Sequence, residues 1–123
     1  MRIFITKSFS RWAKKNKLVI QQLRSAANEI AKGTFDANLG GGVIKKRVAT
    51  KGRGKSASVR TIVAFKRGNH CFFIYGFEKS ERKNITDKEE KVFKIVAKEL
   101  FEFSNHDIKK RLEQRSLYEV PNE

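Results

Sequence analysis

Residues 59–77, VRTIVAFKRGNHCFFIYGF, constrain the fold more than any other stretch of this chain. Two runs rich in β-branched and aromatic residues, Val59–Arg67 and His70–Phe77, flank the tight-turn signal Gly68-Asn69. They read as a β-hairpin. The second run is apolar on nearly both faces. A strand of that kind is a central one covered by helices, because a solvated face would show polar residues at every second position.

The rest of the chain supplies partners for that hairpin. Val43–Val48, VIKKRV, is a strand with a basic middle, and three consecutive strands predict an antiparallel meander. Arg2–Thr6, RIFIT, reads as a first strand and lacks the features of a signal peptide. KSFSRWAKK carries Phe9, Trp12 and Ala13 at helical spacing, with Trp12 as a packing residue. LVIQQLRSAANEIAKG stripes Leu18, Leu23, Ala26, Ala27 and Ile30 and stops at Gly33. Asp36–Gly42, DANLGGG, reads as a loop. Its glycines fit neither GxxxxGK[ST] nor GxGxxG, so nucleotide binding is set aside. Thr86 and Glu89 form a capping box ahead of the stripe Val92, Phe93, Val96, Ala97, Leu100 and Phe101. Ser104 or Asn105 caps a further short helix with Ile108 and Leu112, and SLYEVPNE ends the chain as a strand-like tail. The expected fold is α+β, one domain over 1–123: a small antiparallel sheet, mixed at its edge, with an N-terminal helix pair and C-terminal helices packed on it.

Charge then narrows the function. The net charge is +15. Residues 1–77 hold 17 basic residues against two acids, Glu29 and Asp36, while residues 78–123 balance. Between Asp36 and Glu78 there are nine Lys or Arg and no acid. Such a field favours a polyanion, whose phosphates release counterions on contact. Four basic groups fall near one another if the strands pair in sequence: Lys45, Lys46 and Arg47; Lys51, Arg53 and Lys55; Arg60; and Lys79, Arg82 and Lys83. Antiparallel pairing puts Arg60 and Lys79 on one rim.

Other chemistry is scarce. No apolar run is long enough to span a membrane, and no metal-ligand spacing or cofactor motif occurs. Cys71 is alone, which suits a reducing cytosol, and sits mid-strand as a packed residue. His70 falls at the hairpin turn as a solvated residue, His106 at a helix start, and Ser56 and Ser58 have no His/Asp set around them. An enzyme built from this chain works with Lys, Arg, and Glu81 or Tyr75. RNA cleavage fits that restriction, because RNA brings its own 2′-OH nucleophile. Preorganised cations stabilise the phosphorane, and a lysine whose pKa is lowered by neighbouring cations serves as base or acid.

The run GRGKSASVRTIVAFKRGNHCFFIYGFEKSERKNIT, with the capped helix and the terminal LYEV, resembles the RelE/HigB superfamily of bacterial type II toxin–antitoxin toxins, closest to its HigB-like branch. The resemblance implies a compact α+β toxin fold. It implies a ribosome-dependent mRNA interferase that cuts mRNA in the A site and arrests translation in the cytoplasm, with no cofactor. It implies a cognate antitoxin of helix-turn-helix type, which reaches operator DNA only as part of the complex. By position, Lys55 and Arg60 take phosphate binding and transition-state stabilisation. Lys79 takes a proton-transfer or electrostatic role. Glu81 orients Arg82 or acts as base, or the two form a surface ion pair that holds the loop. Lys45, Lys46, Arg47, Lys51 and Arg53 contact RNA. Here ASVR replaces the family's GGYR, so the aromatic before the strand arginine is absent. Two other readings stay open: a ParE-like gyrase toxin that cuts no RNA, and a basic RNA-binding module.

Overall fold

Thr6 ends the first strand and starts the first helix, its side chain accepting a hydrogen bond from the Phe9 N–H at 3.2 Å. This is the N-cap geometry that a threonine in extended backbone favours. A computed structural model describes residues 1–50 and 58–121. In it the chain runs β1 (Ile3–Thr6), α1 (Lys7–Lys15), α2 (Ile20–Ala31), β2 (Ala37–Gly40), β3 (Val43–Ala49), β4 (Ser58–Phe65), β5 (Cys71–Glu78), α3 (Asp87–Phe101), α4 (Asn105–Glu113) and β6 (Leu117–Val120).

The strands form one mixed sheet in the order β2-β3-β4-β5-β1-β6. The expected meander is present as β3, β4 and β5, paired antiparallel. β1 lies parallel to β5, and β6 then closes antiparallel on β1. Cores form on both faces. On one, α1 and α2 bury Phe9, Leu23, Ala27 and Ile30 against Ile44, Val63 and Phe73. On the other, Ala97, Leu100 and Ile108 pack over Phe4, Ile62 and Phe72. β5 is covered on both sides, which is why its sequence has no polar alternation.

Three expectations need revision. DANLGGG is not simply a loop: Ala37–Gly40 is a strand, because Gly40, Gly41 and Gly42 all take positive φ and fold it back onto β3. His70 is not a solvated turn residue. It is half-buried, its ring set edge-on to Phe4 at 5.5 Å, and burial together with the nearby Arg2 lowers its pKa. Val92, placed in the buried stripe of α3, is half exposed beside Ile95, since the helix turns those two positions away from the sheet.

One irregularity sets which side chains of β5 face α3. Ile62 pairs with Tyr75 while Val63 pairs with Phe73, so Ile74 is an extra residue in β5. A β-bulge of this kind shifts the side-chain parity of the strand beyond it. Tyr75 and Phe77 therefore join the α3 face with Ile62 and Arg60, and Gly76 faces α1. A Cβ at Gly76 would stand 2.2 Å from the Trp12 ring, so the indole occupies the space a side chain would need.

Candidate active site

Strand register builds the site row by row. Arg47 on β3 is opposite Arg60 on β4, and Arg60 is opposite Phe77 on β5. Two pairs further along, and so on the same face, Lys45 is opposite Ile62, which is opposite Tyr75. Lys79 follows β5 two residues after Phe77. Asp36, Lys45, Arg47, Arg60, Phe77, Lys79 and Lys83 line an open concavity of about 320 Å³. The expected convergence of Arg60 and Lys79 on one rim is thus the observed arrangement. Phe77 is buried beneath it.

Arg60 is largely enclosed, its side chain 13% exposed. Its Nη1 donates to Ser58 Oγ at 3.1 Å, and its Nε lies 3.5 Å from Asp36 Oδ2. The same carboxylate oxygen lies 3.9 Å from Arg47 Nε. Lys45 Nζ reaches Asn84 Oδ1 at 3.5 Å, across to the turn that follows β5. The lining is mainly cationic side chains above the buried Phe77, which suits an anion held by charge-assisted hydrogen bonds.

Lys46 does not join this set. Residues i and i+1 of a strand face opposite ways, so Lys46 lies with Ile44 and Val48 on the α2 face. Its side chain is 7% exposed, and its Nζ is 2.8 Å from Glu29 Oε1. Lys46 is thus separated from Lys45 and Arg47, which line the concavity on the other face of the sheet. The two acids of the basic half each hold cations of the sheet, Glu29 at Lys46 and Asp36 at Arg47 and Arg60.

Arg82 stands at the margin, and its partner is Glu89 rather than Glu81. Its Nη1 donates to Glu89 Oε2 and to Tyr75 Oη, both at 3.0 Å, its Nη2 donates to Glu89 Oε1, and its Nε donates to the Asn84 carbonyl at 3.1 Å. The guanidinium also sits 5.8 Å from the Phe77 ring centroid. The Arg82 hydrogen bonds hold the Glu89 carboxyl down at about 2, and Glu89 in turn raises the arginine's pKa. Glu89 also accepts from the Thr86 N–H at 2.8 Å, so one carboxylate caps α3 and ties down the turn. Glu81 is exposed in that turn. Tyr118 is on β6, at the other end of the sheet order from β2 and β3. Lys51, Arg53 and Lys55 lie outside the described residues. Cys71 is fully buried, and burial pushes its thiol up to about 12.

Sequence reading missed Asp36 as a site residue. Its only sequence signal is its position as the last acid before a long cationic stretch. Its approach to β3 depends on β2, which the glycine-rich sequence concealed. No curated protein and no solved structure matches the chain. The family model for the RelE toxin of the RelE/RelB toxin–antitoxin system matches residues 1–120 of the 123, and the chain belongs to that family of toxins, each paired with an antitoxin.

Proposed function

We propose that this toxin is a ribosome-dependent endoribonuclease that cuts mRNA in the A site. The observation that carries the reading is the concavity in which Arg60 and Lys79 meet Lys45, Arg47 and Lys83 over the Phe77 ring. In the step proposed, the 2′-oxygen attacks the adjacent phosphorus, and the bond from phosphorus to the 5′-oxygen breaks. The products are a 2′,3′-cyclic phosphate and a free 5′-hydroxyl. A base takes the 2′-OH proton, and an acid returns one to the departing oxygen. Arg60, already oriented, stabilises the charge on the phosphorane. Lys79 serves proton transfer or adds to the field. Lys45 and Arg47 hold the RNA backbone.

Lys51, Arg53 and Lys55 are assigned to the substrate by the family resemblance alone, Lys55 with Arg60 at the scissile phosphate. Arg82, committed to Glu89 and Tyr75, acts by fixing the turn that carries Lys79 and Lys83. Glu81 is exposed two residues after Lys79, and of the two roles considered for it, orienting Arg82 or acting as base, the base is the one proposed, since Arg82 is held by Glu89. The antitoxin is taken to be a helix-turn-helix protein of the HigB-like branch that represses the operon only in complex, and the site of action is the cytoplasmic ribosome.

Purified ribosomes programmed with a defined mRNA test the reading. Cleavage within the A-site codon by the wild-type chain, absent with Arg60→Ala, is the expected result. Ribosome binding with the mRNA left intact would sink it.

A further inference from the structure

Asp36 is the one carboxylate among the described residues that line the concavity. Its backbone N–H donates to the Lys45 carbonyl at 2.9 Å, which fixes it against β3. From there its Oδ2 approaches Nε of both Arg60 and Arg47. Those arginines are directly opposed on neighbouring strands, where like charges repel. A carboxylate oxygen shared between the two Nε atoms offsets that repulsion. With the Nε edge of each guanidinium turned toward Asp36, the outer edge that carries the Nη groups is left for phosphate oxygens.

We infer that Asp36 is a positioning residue, holding Arg47 and Arg60 side by side so that one phosphate meets both. This rests on the RNA-cleavage reading above. Bulk electrostatics and positioning predict opposite outcomes. A carboxylate in a phosphate site weakens capture of a polyanion, so removing it tightens binding. If it also aligns the arginines, removing it slows the reaction.

Asp36→Asn keeps the shape and the backbone contact and deletes the charge. With programmed ribosomes and saturating full-length protein, Asp36→Asn is expected to slow single-turnover cleavage at least about tenfold. Ribosome affinity is expected to stay unchanged or tighten. In an Arg47→Ala background the same substitution is expected to add less than about a twofold effect, because only one arginine remains to be held. Cleavage by Asp36→Asn at the wild-type rate, or effects of the two substitutions that multiply independently, would overturn the inference. Hydrogen exchange at Arg60 Nε–H, followed by NMR on the free protein, gives a readout that needs no cleavage. It is expected to be faster in Asp36→Asn than in wild type, and equal rates would show that the contact holds nothing. If the wild-type chain leaves mRNA uncut, the nuclease reading falls, while the Arg60 exchange comparison still decides whether the clamp exists.

Discussion

The Arg60 side chain is largely covered, with Asp36 at Nε and Ser58 at Nη1. Much of its desolvation and ordering is therefore complete before a phosphate arrives. Arg60→Ala is expected to lower the cleavage rate about 10²-fold or more, the effect of losing one preorganised donor. Arg60→Lys is expected to fail as well, since a point charge cannot replace a planar fork. Single-turnover rates on ribosomes check both. Lys46 makes the opposite case. Lys46→Met is expected to leave RNA affinity within about twofold while Lys45→Ala and Arg47→Ala weaken it, measured by fluorescence anisotropy at fixed salt. The sequence made Arg60 and Lys79 legible because a hairpin with a short turn fixes its own register. It concealed the role of Lys46, because a run of three cations does not reveal which of them faces the core.

At the scale of elements, α3 was the clearest in sequence, and its start is where pH acts. Glu89 in the folded chain has its pKa lowered from 4.5 to about 2, chiefly by Arg82. A lowered carboxyl contributes stability that is present above its unfolded value and is lost as pH falls toward the folded one. Wild type is therefore expected to exceed Glu89→Gln in stability above about pH 4.5, with the gap closing toward pH 2, read from urea midpoints at a series of pH values. Glutamine can still serve the capping box, so the difference reports the Arg82 contact. The β5 bulge was invisible in sequence: CFFIYGF alternates no more clearly with an extra residue than without one. Gly76 is its trace, since only the bulge turns that position under Trp12. Gly76→Ala is expected to destabilise the chain by about 1–3 kcal/mol, as overpacking does, and denaturant unfolding measures it. β2 was hidden for a different reason. Four residues that include Asn and Gly carry little strand signal, and pairing with β3 supplies what local preference lacks.

Over the whole molecule, the concavity draws its cations from both parts of the chain. Residues 78–123 build α3 and α4, which cover one sheet face, and also lend Lys79 and Lys83 to the concavity, whose other cations come from β3 and β4. RNA binding is expected to weaken with salt by about 0.7 log units per log unit for each phosphate neutralised, so four contacts give a slope of about −3. A slope near zero would mean that the concavity does not meet the backbone. The sheet order also fixes a sequence of events in time. β1 precedes both of its partners in the chain: one of its edges is filled by β5 and the other by β6, with Ile3 opposite Val120. An open strand edge invites pairing with other chains, and β1 keeps one open edge until β5 follows it and the other until β6 does.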